Sequence, residues 1–336
     1  MLKQLAARKS VASIVRELET GPKLNRVLGP GSLTSAGLGA MIGSGIFVLT
    51  GTVAAVHTGP AVMLAFLVAA VGCGLAALCY AELAAMIPVS GSAYSYTYAT
   101  LGEGVAWFVG WNLALEYVMS AAAVAVGWSG YVVNLLADAG IHFPAILTNA
   151  PLEKLANGHL HPTGAIVNVP AVLIVALLTW VCYVGVKQST RINNVMVLVK
   201  TAIILLFIFV GFRFVDTSQW HPFLPQNTGD FGHFGWSGVM QGAAIIFFAY
   251  IGFDQAATTA QEARNPQRDL PIGILAALVI STALYVVMAA VMTGMVSYTK
   301  LDVAAPVAVA LDAHPELFWL GLPVKIGAVV GMTSVI

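Results

Sequence analysis

The chain has 336 residues, of which 59% are hydrophobic and 9% are charged, and its formal net charge at pH 7 is zero. Soluble domains carry about 25% charged residues, so this chain has too few charges to cover a water-exposed surface. The composition excludes a soluble protein and predicts a polytopic protein embedded in a lipid bilayer. The balanced charge gives no indication that the chain binds nucleic acid.

Runs of about 20 mostly apolar residues each predict one membrane-spanning helix. Seven runs are complete, and an eighth begins near Pro323 and is unfinished at Ile336. The seven complete runs are Leu33–Val56, Ala61–Met86, Val105–Leu136, Val169–Val186, Ile192–Val215, Trp236–Thr259 and Ile272–Val296. The sequence therefore predicts an all-α membrane domain over residues 32–336, truncated within helix 8, after a cytoplasmic segment formed by residues 1–31.

Lysine and arginine residues in the loops predict the orientation, because they are enriched on the cytoplasmic side. With the N-terminus inside, ten fall in cytoplasmic segments and four in outer loops. The ten are Lys3, Arg8, Lys9, Arg16, Lys23, Arg26, Lys187, Arg191, Arg264 and Arg268, and the four are Lys154, Arg213, Lys300 and Lys325. We therefore expect a cytoplasmic N-terminus and, as the location, the plasma (inner) membrane.

The first and sixth spans carry residues that weaken a helix. The first span has four glycines in nine residues, Gly37, Gly39, Gly43 and Gly45, and glycine costs about 1 kcal/mol in a helix interior. The sixth span has Gly252 in the segment 247–254. Interrupted helices at matching places in two halves indicate the binding site of a transporter with inverted repeats. The alternative is close helix packing, for which Gly39 and Gly43 have suitable spacing.

An interrupted helix offers groups that suit a zwitterion. The N–H groups at a helix N-terminus favour a carboxylate, and freed carbonyl groups accept hydrogen bonds from an ammonium group. We therefore predict that backbone groups hold the carboxylate at Ile42, Gly43, Ser44 and Gly45, and hold the ammonium near Ala40, Met41, Phe247 and Ala249.

Five motifs along the chain carry a family resemblance. They are Gly43–Phe47, Pro88–Tyr96, Trp111–Tyr117, Phe248–Asp254 and Glu262–Pro271. In this order they resemble the amino acid–polyamine–organocation superfamily, and within it the cationic amino acid transporter branch. The resemblance implies a LeuT-type five-plus-five inverted repeat with helices 1 and 6 broken.

The function that the resemblance implies is secondary active transport of an amino acid by alternating access. It implies a proton as the coupling ion. We expect no other cofactor, and from the motifs that the sequence lacks we expect no metal and no catalytic residue. Whether the amino acid is cationic or neutral stays open, as does a small membrane-protein partner. Two alternatives to proton-coupled uptake are an amino-acid exchanger and a membrane sensor that binds an amino acid without transporting it.

Lys200 lies eight residues into the fifth predicted span, about 12 Å from its start. A charge at that depth is costly, so it pairs, faces water or has a function. In proton-coupled proteins that the chain resembles, such a lysine replaces a bound sodium ion and contacts carbonyls of span 1, here near Ala40 or Gly43, and hydroxyls of span 8. Thr333 and Ser334 are the candidates for those hydroxyls, and a permanently paired structural lysine is the alternative.

Further ionisable and aromatic residues accompany the interrupted spans. We expect Glu116 to contact a cationic substrate, to relay protons or to form structural hydrogen bonds, and Asp254 to cap or pair near the broken helix. Phe247 and Phe253 are candidate gates, with packing as the alternative. Glu262 and Arg264 are candidates for an inner gate with the N-terminal segment, through Arg26, or for a plain solvated loop.

Other classes of protein lack their motifs in this chain. The sequence has no phosphate-binding loop, no His-Glu-x-x-His pair and no nucleophile elbow, so we do not expect an enzyme or a pump with its own nucleotide site. It also has no pattern typical of an ion-channel filter.

Overall fold

A computed structural model describes residues 7–11, 13, 16, 25–154, 160–184 and 190–336. Within those residues, the helices of seven or more residues are α1 (Pro30–Met41), α2 (Val62–Met86), α3 (Ser92–Thr100), α4 (Glu103–Asp138), α5 (Val169–Val184), α6 (Thr190–Gly211), α7 (Gly235–Ile246), α8 (Pro266–Met295), α9 (Pro306–Asp312) and α10 (Phe318–Thr333). Two short strands, β1 (Leu152–Lys154) and β2 (Leu160–Pro162), form an antiparallel pair.

The described residues contain six helical stretches that are long and apolar enough to cross a membrane. These stretches are Gly45–Met86, Glu103–Asp138, Asn194–Phe214, Gly235–Thr258, Pro266–Met295 and Pro315–Thr333. Their large apolar side chains are often exposed, as at Leu75, Trp107 and Phe318, which are at least 64% accessible. Soluble proteins rarely expose apolar surface on this scale, because contact of apolar groups with water is unfavourable. The prediction of an all-α polytopic membrane protein is therefore confirmed.

The first predicted span is not one continuous α-helix. Helix α1 ends at Met41, the chain bends at Ile42 and Gly43, and a π-helix follows from Gly45 to Leu49. A second π-helix, Ala54–Thr58, precedes Gly59, whose φ of +62° ends the segment before α2. The interruption falls among the glycines of the first span, where helical propensity is lowest.

The sixth predicted span is interrupted as well. Helix α7 passes into a 3₁₀ helix over Phe247–Tyr250, a turn covers residues 251–254, and a short helix resumes over Gln255–Thr258. Gly252 has a φ of +109°, a conformation that residues with a Cβ rarely adopt. A Cβ at this position would also lie 2.6 Å from the Cβ atom of Ala40.

Several boundaries differ from the sequence prediction. Helix α10 begins at Phe318 rather than near Pro323, because Pro323 lies only in its second turn and removes a single hydrogen bond near the helix start. Helix α3, rich in Ser, Thr and Tyr, and the short helix α9 were not predicted as helices, since neither has the length or apolarity of a span.

The chain divides into two compact units. The first unit comprises Met1–Met41, Val68–Met119 and Tyr250–Ala283, and the second comprises Ile42–Leu67, Ser120–Ala249 and Leu284–Ile336. Two of the division points, after Met41 and after Ala249, fall inside the interrupted first and sixth spans.

Small residues bring helices close together within each unit. In the first unit, a Cβ on Gly37 would lie 2.8 Å from that of Ala277, so α1 and α8 pack without intervening side chains. In the second unit, Gly327 faces Ile203 and Gly331 faces Lys200, which joins α10 to α6 along one glycine-lined face. Such small-xxx-small spacing is typical of helix packing in membranes.

Candidate functional site

Lys200 is completely buried in the second unit. Its Nζ atom donates hydrogen bonds to the carbonyl oxygen of Ile42 and to Ser334 Oγ, each at 3.0 Å. A Cβ on Gly331 would lie 3.3 Å from Lys200 Cβ, so the glycine leaves room for the lysine stem. The amine therefore joins α6 to the end of α10 and to the residue at which the first span is interrupted.

The partners of Lys200 refine the sequence prediction. The main-chain acceptor is Ile42 rather than Ala40 or Gly43, and the hydroxyl is that of Ser334. Thr333 has other partners, because its Oγ1 accepts from Trp128 Nε1 at 2.9 Å and donates to the Val329 carbonyl at 2.8 Å. Consecutive residues point about 100° apart around a helix, so only one of the two can face the lysine.

The predicted carboxylate-binding segment, Ile42 to Gly45, lies wholly in the second unit. A Cβ on Gly45 would lie 2.6 Å from the Cα atom of Ala249, so the backbones of the first and sixth spans are in contact there. Ser44 is buried, and its Oγ has no hydrogen-bond partner among the described residues. Ser44 shares this property with six other buried side chains of the described residues, and it is the one that lies at the interruption of the first span.

The sixth span contributes two predicted residues to the second unit. The carbonyl oxygen of Ala249 accepts a hydrogen bond from Tyr285 Oη at 3.1 Å. A carbonyl has two lone pairs, so this bond leaves capacity for one further donor. Phe247, a candidate gate, is 42% exposed.

Tyr131 is a residue of this region that the sequence analysis missed. It is fully buried, and its hydroxyl donates to the Phe47 carbonyl at 2.7 Å while the two rings meet edge to face. The bond holds the π-helix that follows the interruption. A tyrosine deep in an apolar span was the available signal, since a buried tyrosine hydroxyl needs a partner.

In the first unit, Asp254 is the buried carboxylate of the interrupted sixth span. Ser92 Oγ and Tyr117 Oη donate to it, each at 3.4 Å. The side chain does not cap the short helix that it precedes. It pairs with these two hydroxyl groups near the break, which is one of the two roles expected for it. Ser92 has an unusual φ of +46°, which places the hydroxyl at the first turn of α3.

Aromatic rings surround this carboxylate in the first unit. Tyr80 meets Phe253 edge to face at 5.3 Å and Tyr96 at 6.2 Å between ring centroids. Phe253 and Met41 are buried, whereas Ala40 and Glu116 are half-buried. The structure thus groups Phe253 with Asp254 in the first unit, and Ala40 lies against Gly252 in the same interrupted segment.

The candidate inner-gate residues contact the N-terminal segment through main-chain atoms. Leu28 donates to the Glu262 carbonyl and accepts from the Arg264 amide, each at 2.9 Å, which forms a parallel bridge between Leu28 and Ala263. Arg264 Nε also donates to the Val27 carbonyl at 3.1 Å. The contact is therefore made by backbone groups and the Arg264 guanidinium. The sequence analysis had instead considered a charged pair through Arg26.

Lys325 was assigned to an outer loop and instead lies buried within α10. Its Nζ atom is 2.6 Å from Asp138 Oδ2 and 3.9 Å from Asp312 Oδ2. These contacts join the C-terminal ends of α4 and α9 to the middle of α10 in the second unit. Across the part of the chain that the structure describes, no group of three or more His, Cys, Asp or Glu residues is placed to hold a metal ion.

The apolar spans and the buried polar groups at their interruptions define an integral membrane protein. The family model described as amino acid permease matches residues 28–330, which is most of the chain. The chain therefore belongs to the amino acid permease family, and the resemblance to the amino acid–polyamine–organocation superfamily is confirmed. This family consists of transporters rather than enzymes.

Individual relatives support the same family. A protein of Bacillus subtilis (strain 168) named methylthioribose transporter is 46% identical over 98% of this chain and 68% of its own length. Branched-chain amino acid permease BcaP of the same organism is 44% identical over 98% of this chain and 67% of its own length. Cationic amino acid transporter 2, vacuolar, of Arabidopsis thaliana is 38% identical over 99% of this chain and 50% of its own length.

Proposed function

We propose that the protein is a secondary active transporter that moves amino acids across the plasma membrane by proton-coupled alternating access. The observation that carries this proposal is Lys200, a fully buried lysine whose amine binds the interrupted first span at Ile42 and the hydroxyl of Ser334. Desolvation favours the neutral form of a lysine amine, so a buried lysine can release and rebind a proton. Proton exchange there changes the hydrogen bond that reaches the first span.

The substrate carboxylate is proposed to bind the backbone N–H groups of Ile42 to Gly45, with the Ser44 hydroxyl as an additional partner. The support is local: helical structure begins again after the bend at Ile42 and Gly43, and the N–H groups of a first helical turn lack partners within the helix. Carbonyls near Phe247 and Ala249 are proposed to accept from the substrate ammonium.

The first unit carries the remaining proposed roles. Backbone carbonyls near Ala40 and Met41 are proposed for the ammonium, Glu116 for a cationic side chain or for proton relay, and Phe253 for gating. Asp254 is proposed to stabilise the broken sixth span through Ser92 and Tyr117 rather than to touch the substrate.

A different substrate is supported by one comparison. The relative that is 46% identical is named for methylthioribose, a sugar derivative with no amino-acid zwitterion. A second candidate function is therefore uptake of such a thiosugar by the same fold. The Ser44 hydroxyl would serve either substrate, whereas a row of N–H groups favours a carboxylate, which supports an amino acid as the first choice.

The test is uptake of radiolabelled alanine, leucine, arginine and methylthioribose into proteoliposomes, with and without an inward proton gradient. We expect the gradient to stimulate accumulation of at least one amino acid. Lys200→Met, which keeps most of the side-chain volume, should abolish this stimulation. Lys300→Met is the matched control, because Lys300 is exposed in the 3₁₀ helix after α8.

The other results each have a definite meaning. Uptake that needs internal amino acid and ignores the gradient would identify an exchanger. Binding without accumulation would identify a sensor, and accumulation of methylthioribose alone would replace the amino acid as substrate. Unchanged pH dependence in Lys200→Met would remove Lys200 from the coupling mechanism.

A further inference from the structure

A cavity of about 300 Å³ opens on the second unit, apart from the residues proposed for transport. It lies where α6 ends and α10 begins. The lining residues are Phe209, Val210, Arg213, Phe214, Glu316, Leu317 and Trp319. Arg213 is next to the last residue of one candidate membrane span and Glu316 is the second residue of another, so both charges lie at a span boundary.

The elements that form the walls of this cavity contact neighbouring residues of the second unit. The ring of Phe214 packs against that of His314 with centroids 5.1 Å apart. His314 Nε2 lies 3.0 Å from the Met295 carbonyl and therefore carries the proton of that hydrogen bond, since a carbonyl can only accept. Deeper along the same helices, Gly327 packs against Ile203. The cavity is thus formed between elements that pack against each other.

The charges at the cavity are opposite and are not paired with each other. Within the residues that the structure describes, no ion pair involves Arg213 or Glu316, and both side chains are exposed. Two apolar residues of the lining are also accessible, Phe209 at 80% and Trp319 at 57% exposure, whereas Leu317 is buried. A ligand for this site therefore combines an anion, a cation and an apolar body, and it reaches the site from the bilayer.

We propose that this cavity binds a zwitterionic phospholipid with a primary ammonium headgroup, phosphatidylethanolamine. Arg213 donates paired hydrogen bonds to the lipid phosphate, a geometry that a guanidinium provides. Glu316 accepts from the ammonium, and Phe209 and Trp319 contact the glycerol and the first part of an acyl chain. Aromatic side chains at the membrane boundary are typical of contact with this region of a lipid.

The headgroup distinguishes phosphatidylethanolamine from two other common phospholipids. The quaternary ammonium of phosphatidylcholine has no N–H to donate to Glu316. Phosphatidylglycerol supplies the phosphate but no cation, so its negative charge faces an uncompensated carboxylate. The site should therefore prefer phosphatidylethanolamine over both, and the preference should depend on Glu316, whereas binding of any phospholipid should depend on Arg213.

The test is native mass spectrometry of the purified protein with the three lipids at matched acyl chains. We expect wild-type protein to retain phosphatidylethanolamine about fivefold more than the other two, since each exposed charge contact contributes modestly. Glu316→Gln should lower its retention to the phosphatidylcholine level, and Arg213→Gln should lower retention of all three. The double variant Lys300→Gln with Asp302→Asn makes the same charge changes after α8 and should match wild type.

Each opposing result overturns the proposal. The cavity does not bind this headgroup selectively if the three lipids are retained equally or if phosphatidylglycerol is preferred. The same conclusion follows if neither substitution changes retention. Both substituted side chains are exposed, so the variants should fold, and monodisperse elution verifies this. The measurement needs no transport activity, so it stands or falls separately from the proposed function.

Discussion

Ser334 and Thr333 are neighbours in the chain, yet their hydroxyl groups have different partners. Ser334 Oγ accepts from Lys200 and donates to the Gly331 carbonyl at 2.7 Å, whereas Thr333 is bonded to Trp128 and Val329. Sequence reasoning could place Lys200 too deep to reach water and could predict hydroxyls near it. It could not choose between the two residues, because the choice depends on the rotation of α10 about its axis.

The first prediction compares those two hydroxyls. Ser334→Ala should lower proton-driven uptake about tenfold, because a hydrogen bond to a charged group contributes about 1.5–3 kcal/mol. Thr333→Val should have a clearly smaller effect. Initial rates under an inward proton gradient measure both, and equal losses in the two variants would contradict the assignment.

The second prediction concerns the buried hydroxyl of Ser44. Ser44→Ala removes a polar group that has no partner among the described residues, so the unfolding temperature should stay the same or rise. If the hydroxyl binds substrate, KM should rise about twofold to tenfold. Thermal unfolding and uptake kinetics test the two parts; a destabilised variant with unchanged KM would mean a structural role.

At the scale of elements, hydropathy located the spans well because a bilayer requires long apolar helices. Hydropathy did not predict α3, because this polar helix does not cross the bilayer core. It also misplaced Lys325 in a loop, because the ion pair with Asp138 allows this charge to lie within a helix of a span. The glycines of the first and sixth spans indicated the interruptions at residues 42–43 and 251–254. The contact of Gly45 with Ala249 could not be predicted from the sequence, since it depends on tertiary packing.

The third prediction tests that contact. Gly45→Ala should destabilise the protein by about 1–3 kcal/mol, because the new methyl group overlaps the backbone at Ala249. Gly72→Ala is the matched control in α2, where no atom lies within 4 Å of the added Cβ. It should be neutral or slightly stabilising. Thermal unfolding in detergent compares them, and similar midpoints would argue against a close backbone contact.

The fourth prediction concerns Asp138 and Lys325. Asp138→Asn should destabilise the protein more than Lys325→Met, because it leaves a buried ammonium without its nearest partner. The loss should stay below the ~3–5 kcal/mol of a fully buried pair, since the Asp138 side chain is 52% exposed and Asp312 remains 3.9 Å away. Unfolding midpoints in the reverse order would contradict this interpretation.

At the scale of the whole molecule, composition and motif order were enough to predict the class and the family. Composition and motif order are properties of the entire chain, so local errors in helix bounds do not change them. Orientation rests on a different signal, the distribution of lysine and arginine, and it stays a prediction.

The fifth prediction tests that orientation in a variant whose three cysteines, Cys73, Cys79 and Cys182, are replaced by alanine. A new cysteine at Asp302 should react with a membrane-impermeant maleimide in intact cells. A new cysteine at Gln267 should react only after permeabilisation. The opposite pattern would reverse the assignment of the N-terminus to the cytoplasm.

Helix α4 is 36 residues long, which corresponds to about 54 Å, whereas the hydrocarbon core of a bilayer measures about 30 Å. Even a tilt of about 40°, the upper end of the usual range, leaves about 11 Å of its projection outside that core. The excess must sit among headgroups, where the exposed rings of Trp107 and Trp111 can anchor one end. This helix should therefore fix how deep the protein sits in its membrane, and bilayers of different thickness should change its tilt first.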